Sequence, residues 1–248
     1  MESIIITGGT KGIGADIALK FLEEGYVVII GSRNKDGIAK KKINNLFFRK
    51  INVKHEKDHR ILIDTALKNS DRIKSYINCA GFSKWMPISE INEKEFSEMI
   101  DTNLKGALWG CKVAALEMKS GSSIINLSSL AGKRGSANNS LYCASKFALN
   151  GITQSLSKEL GPKGIRVNAV CPVYVETESL IEALESKDSP SKNQITNTFL
   201  NDFANQNAAL KRLPMSSEVA DVCFFLSSST SSAITGQCIN VDCGVLPQ

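Results

Sequence analysis

The chain has 248 residues, 42% of them hydrophobic and 22% charged, with 30 Lys plus Arg against 25 Asp plus Glu for a formal charge of +5. A chain of this length and balance can bury a substantial core, which excludes intrinsic disorder and a collagen-like repeat. Its longest apolar runs, such as Ile4-Ile5-Ile6 and Val27-Val28-Ile29-Ile30, are strand-sized and far short of the roughly 18 residues that span a bilayer, so no membrane helix is expected.

Met1-Glu2-Ser3 leads directly into the first apolar run, without the basic region, apolar core and small-residue cleavage site of a signal peptide, and a cytoplasmic protein is expected. Apolar, β-branched runs at 3–7, 26–31, 46–51, 73–78, 123–127, 165–170 and 238–241 predict seven strands. Helical patterns lie between them: Ile17, Ala18, Phe21 and Leu22 share one face, as do Ile61, Leu62, Thr65 and Ala66. Strand and helix alternating through a single domain predict a three-layer α/β fold of the Rossmann type, with a doubly wound, mostly parallel seven-stranded sheet. The polar stretch 178–209, containing Ser189-Pro190-Ser191, breaks this rhythm and is expected to form a lid over the substrate.

The seven cysteines are odd in number, lack a C-x-x-C pair and are expected to be reduced core thiols. His55 and His59 lie four apart beside Glu56 and Asp58, but away from the other motifs, and no metal site is expected. Basic residues are scattered, with Lys40-Lys41-Lys42 the longest run, and aromatics are few; a nucleic-acid partner is not expected.

Thr7-Gly8-Gly9-Thr10-Lys11-Gly12-Ile13-Gly14 follows the first strand and opens the first helix. Glycines there permit a tight turn and close backbone approach, and a helix N-terminus offers unpaired N–H groups to a pyrophosphate. The G-x-x-x-G-x-G spacing departs from the G-x-G-x-x-G of ordinary dinucleotide dehydrogenases. After the second strand, where an NAD-selective site places an acid for the ribose 2′-hydroxyl, the chain reads Ser32-Arg33-Asn34. Arg33, with Lys11 from the glycine loop, can pair with a 2′-phosphate, so NADP(H) is the expected cofactor. Tyr142 and Lys146 stand four apart at the start of a helix reaching about residue 160, which places phenol and ammonium on one face. A nearby positive charge stabilises phenolate and suits the Tyr to acid and base work.

Together these segments resemble the classical short-chain dehydrogenase/reductase family over essentially the whole chain. Gly8…Gly12-Ile13-Gly14 resembles the family's cofactor loop; Asn78-Cys79-Ala80-Gly81 is similar to its fourth-strand motif, with Cys79 where Asn is usual. Asp101-Thr102-Asn103 and Ile125-Asn126-Leu127-Ser128-Ser129 resemble the segments that supply the catalytic Asn and Ser, and Ser129 fits the spacing to Tyr142 better than Ser128. Asn168-Ala169-Val170-Cys171-Pro172 and Val175-Glu176-Thr177 look like the segment that holds the nicotinamide, with Val173 where Gly is usual. Ile234-Thr235-Gly236-Gln237 and Val241-Asp242-Cys243-Gly244 resemble the last strand.

The resemblance implies catalysis by Asn103, Ser129, Tyr142 and Lys146, and cofactor binding by Gly8, Thr10, Lys11, Gly12, Ile13, Gly14, Ser32, Arg33, Asn52, Val53, Asn78, Ala80, Gly81, Pro172, Val175 and Thr177 besides Tyr142 and Lys146. Asn52 stands where the family has Asp against adenine and still offers a hydrogen bond. A homotetramer, or a homodimer, is implied as well. Within the family the chain resembles 3-oxoacyl-[acyl-carrier-protein] reductases. The loop Met118-Lys119-Ser120-Gly121-Ser122-Ser123 carries little charge for an acidic carrier, and Asn193, Gln194, Asn197, Asn201, Asn205 and Gln206 enrich the lid in amides. These point instead to a polar, sugar-like carbonyl or alcohol of surface-glycan synthesis, with the acyl thioester as the alternative. A sugar epimerase would need a C-terminal substrate domain for which too few residues follow Lys146. A non-catalytic NADP sensor would not need all of Asn103, Ser129, Tyr142 and Lys146.

Overall fold

The computed structural model describes residues 1–192 and 194–247. Asn193, one of the lid amides, lies outside the described residues. Seven strands form one sheet in the order β3-β2-β1-β4-β5-β6-β7: β1 (Glu2–Thr7), β2 (Val27–Ser32), β3 (Leu46–Lys50), β4 (Arg72–Asn78), β5 (Ser123–Leu127), β6 (Arg166–Pro172) and β7 (Cys238–Val241). Every neighbouring pair is parallel. The sheet is therefore fully rather than mostly parallel, and each strand needs a crossover helix.

The helices are α1 (Gly12–Glu23), α2 (Glu56–Asn69), α3 (Glu93–Ile100), α4 (Gly106–Glu117), α5 (Ser140–Leu160), α6 (Glu178–Leu184), α7 (Thr196–Asn207) and α8 (Ser216–Ser227). Side-chain alternation along buried strands splits the core into two layers. Ile4, Ile6, Val28 and Ile30 pack with Phe21 of α1 and Val219 of α8 on one face. Ile5, Val27 and Ile29 pack with Leu62 of α2 and Val113 of α4 on the other. At about 25 cal/mol per Å² of apolar surface removed from water, these layers dominate the folding free energy.

Several polar residues set the strand ends that carry function. The Thr7 hydroxyl accepts from the backbone N–H groups of both Cys79 and Ala80 at 3.2 Å, tying the end of β1 to the end of β4. Strand order reverses between these two strands, and such a reversal opens a crevice at the carboxyl edge of the sheet. Asn92 caps α3 by accepting from Lys94 and Glu95 N–H, and a single π turn at Asp101–Lys105 joins α3 to α4. The seven cysteines are free thiols. Among the described residues no helix is long and apolar enough to cross a membrane.

Candidate active site

Two adjoining clefts open on the carboxyl edge of the sheet. The first surrounds the glycine loop and takes in Gly8, Thr10, Lys11, Gly12, Ile13 and Gly14. Gly8 has φ +71°, and a Cβ there would stand 2.8 Å from the Ala80 Cα. A Cβ on Gly14 would stand 2.3 Å from the Gly8 carbonyl oxygen, so the turn closes only with hydrogen at both places. Lys11 is the N-cap of α1 without a side-chain cap bond, and the first turn carries no acid. The N–H groups of that turn thus face the cleft with the positive end of the helix dipole, an arrangement suited to a pyrophosphate.

Ser32 and Arg33 at the end of β2, Asn52 and Val53 after β3, and Ala80 and Gly81 after β4 complete this cleft, with Thr177 at its inner end. Asn52 is held by an exchange of local bonds: its N–H donates to Asp58 at 2.7 Å and its Oδ1 accepts from Lys54 N–H at 3.2 Å. Its NH₂ stays available to a base edge. Arg33 is exposed and forms no ion pair among the described residues, whereas Lys11 is shared between Glu178 at 3.2 Å and Asp36 at 3.7 Å. Sequence reading placed no acid near the discriminating positions. Asp36 is one, brought to the glycine loop because Gly37, at φ +50°, packs against the Thr10 carbonyl.

Asn78 does not reach this cleft. Its side chain points into the core, where Nδ2 donates to Asn126 Oδ1 at 2.9 Å, and Asn126 in turn donates to Thr153. Gly110 on α4 leaves the room, since a Cβ there would stand 2.1 Å from Asn78 Oδ1. Asn78 locks β4 to β5 and, through Asn126, to α5. His59 is likewise a core residue, its ring nitrogens 2.8 Å from Tyr76 Oη and from the Val53 carbonyl. Burial lowers its pKa and keeps it neutral.

The second cleft continues from Ile13 to Ser129, Tyr142, Lys146, Pro172 and Val175. The register of β5, β6 and α5 brings these together from distant parts of the chain. Lys146 is buried and donates to the Leu127 carbonyl at 2.7 Å, with its Nζ 5.6 Å from the centre of the Tyr142 ring. Ser128 turns inward, its hydroxyl 3.4 Å from the Lys146 carbonyl, while Ser129 meets the Tyr142 phenol and accepts from Ala131 N–H.

Asn103 lines neither cleft. The π turn holds it behind the floor, where its amide brackets Phe82 by accepting from Phe82 N–H at 3.0 Å and donating to Phe82 O at 2.9 Å. A Cβ on Gly81 would stand 3.1 Å from Asn103 Oδ1 and 3.7 Å from Lys146 Nζ, so Asn103 and Lys146 border the same gap.

Electrostatics here is governed by burial. Enclosure pushes the Tyr142 phenol up to about 12, with the Ser129 hydrogen bond acting the other way. It also lowers Lys146 to about 8. The direction is opposite to the expected lowering by the ammonium: burial raises the phenol, and the influence acting against it is the Ser129 hydrogen bond. Tyr142 is therefore protonated at neutral pH and suited to give a proton.

The wall opposite Tyr142 consists of residues that motif reading missed. Trp85, Tyr174 and Phe203 line the cleft, and the Tyr174 and Phe203 rings lie edge to face at 4.9 Å. Ser83, Arg134, Ser136 and Asn139 form its polar side. The lid amides are elsewhere: Gln194, Asn197, Asn201, Asn205 and Gln206 are all exposed, and α7 turns Leu200, Phe203 and Ala204 inward. Their helical spacing carried this signal, since Asn197, Asn201 and Asn205 form one outer stripe.

A parallel sheet with a dinucleotide crevice and a Ser, Tyr and Lys at its inner end defines a nicotinamide-dependent oxidoreductase. The chain belongs to the short-chain dehydrogenase/reductase family and matches the enoyl-(acyl carrier protein) reductase family over residues 8–246. It is 31% identical to the 3-oxoacyl-[acyl-carrier-protein] reductase FabG of Staphylococcus epidermidis, over 98% of both chains. The structure is similar to aldohexose dehydrogenase of Thermoplasma acidophilum, with a TM-score of 0.88, 28% identity and coverage of 100% of this chain and 97% of that one. It is also similar to ElxO with NADP bound, with a TM-score of 0.86, 30% identity and coverage of 100% and 99%. The protein is an oxidoreductase that uses a nicotinamide cofactor on hydroxyl and carbonyl groups.

Proposed function

We propose that the protein is an NADP(H)-dependent reductase of a small polar carbonyl compound, interconverting it with a secondary alcohol. The observation that carries this reading is the meeting of Ser129, Tyr142 and Lys146 where the second cleft joins the first. The residues fit the cofactor: the glycine loop and the open first turn of α1 would hold the pyrophosphate, Arg33 with Lys11 a 2′-phosphate, and Pro172, Val175 and Thr177 the nicotinamide end. Bound there, NADPH supplies hydride.

Tyr142 then gives its proton to the carbonyl oxygen and Ser129 holds that oxygen by a hydrogen bond. Lys146, lowered to about 8, passes the replacement proton to Tyr142 from the side on which Asn103 Oδ1 lies. Arg33 is the cation expected to choose NADPH over NADH, because the weak, exposed ion pairs of Lys11 to Asp36 and Glu178 must be redistributed first.

The polar character of the substrate is supported by Ser83, Ser136 and Asn139 and by the sparsely charged loop 118–123, not by the lid amides. The aromatic wall of Trp85, Tyr174 and Phe203 favours the second reading, a 3-oxoacyl thioester, in which an acyl chain would lie along the rings. Exposed Leu108 and Leu116 on α4 and Phe147 on α5 support a homo-oligomer built on these helices. The test is fluorescence titration with NADPH and NADH, followed by NADPH consumption on acetoacetyl thioester and on keto-sugars. Tighter NADPH binding with keto-sugar turnover supports the polar substrate; thioester turnover alone supports the second reading; NADH preference refutes the assignment of Arg33.

A further inference from the structure

The substrate cleft is charged on one side only. Among the described residues no Asp or Glu lines it, and the two cations that do are Lys146, buried and committed to the Leu127 carbonyl, and Arg134, exposed. The Arg134 guanidinium makes no hydrogen bond or ion pair with the described residues. Its backbone is fixed: Arg134 N–H donates to Leu130 O at 3.0 Å, and the Cys143 thiol, one residue beyond Tyr142, approaches its carbonyl at 3.9 Å. The arginine is thus anchored to the turn of α5 that carries the catalytic phenol.

Two further polar atoms lack partners on the same side. Asn139 is 5% exposed and its Oδ1 is enclosed without a hydrogen bond, although its NH₂ donates to Ser136; Ser83 Oγ is enclosed and unpaired as well. A hydroxyl can donate to an anion, so Ser83 suits such a ligand, whereas the Asn139 oxygen only accepts and its NH₂ is committed to Ser136. The positive charge of Arg134 also reaches Tyr174 on the opposite wall, where it opposes the upward push of burial on the phenol.

We infer that Arg134 binds an anionic group of the substrate, so that the cleft takes a carbonyl compound bearing a carboxylate or phosphate, with the unpaired Ser83 hydroxyl available to donate to it. An arginine fork matches either oxyanion with paired N–H donors, and no carboxylate in the cleft competes for it. The inference rests on the carbonyl-reductase reading for its substrate, but its charge preference is separable from turnover.

The test uses the NADPH complex and matched carbonyl pairs: a keto acid with its methyl ester, and a keto-sugar phosphate with the free keto-sugar. The anionic member of at least one pair is expected to have a kcat/KM about 10-fold or more above its neutral partner. The pair that responds distinguishes carboxylate from phosphate. In Arg134→Gln the ratio falls to within about twofold, and Arg134→Lys restores part of it. Melting temperature and NADPH affinity of the variants report folding. Equal kcat/KM within each pair, or a ratio untouched by Arg134→Gln, overturns the inference. If no pair is turned over, the reductase reading fails, and titration of the same pairs against the NADPH complex decides the inference. Anion-selective binding lost in Arg134→Gln upholds it; equal binding refutes it.

Discussion

The two clefts are built by different means. The cofactor side is largely backbone: Gly8 and Gly14 clear the space, α1 supplies its open N-terminus, and Thr7 ties two strand ends together. The substrate side is side chains, contributed by segments as distant as Trp85, Arg134, Tyr174 and Phe203. A backbone cradle tolerates little change and recurs with its motif; a wall of side chains can be replaced residue by residue, which is how one scaffold serves many substrates.

The sharpest break on the cofactor side is Gly14→Val. Its Cβ would stand 2.3 Å from the Gly8 carbonyl, and the shift it forces is expected to weaken NADPH binding about 10- to 100-fold by fluorescence titration. Next is Arg33→Ala, expected to weaken NADPH about 10-fold while leaving NADH unchanged, with a smaller effect from Lys11→Ala because Lys11 is already paired. Equal loss for both cofactors would remove the 2′-phosphate from the account.

A third effect is on stability. Lys146 falls from 10.5 in the unfolded chain to about 8 when folded, so between those values the unfolded state binds more protons. Its contribution must therefore grow more favourable as pH rises from 8 to 10.5. Denaturant midpoints measured across that window should show this rise in the native protein, relative to Lys146→Met. The smallest effect is on the lid: Asn201→Ala and Asn205→Ala, on the outer face of α7, should leave turnover within about twofold. A larger loss would return those amides to the site.

What could be read before folding follows the same division. The strand runs and the glycine loop were legible because buried parallel strands and tight turns restrict residue type locally. Asn78 was misassigned to the cofactor because the direction of its amide depends on Gly110, on a helix 32 residues later that sequence alone does not place beside it. The lid was read by composition when periodicity would have turned its amides outward. The reversed pKa of Tyr142 needed the degree of enclosure, which spacing to Lys146 does not contain. Arg134 and the aromatic wall belong to no motif and became visible only when the loops converged.

The central claim is that Tyr142 is the proton donor at the join of the two clefts. Single-turnover oxidation of NADPH by a carbonyl substrate, compared between the native protein and Tyr142→Phe at pH 7, tests it most directly. The account predicts NADPH binding unchanged within about twofold and a rate lower by about 10²- to 10⁴-fold. A Tyr142→Phe protein that binds NADPH and reduces the substrate at the native rate would contradict it.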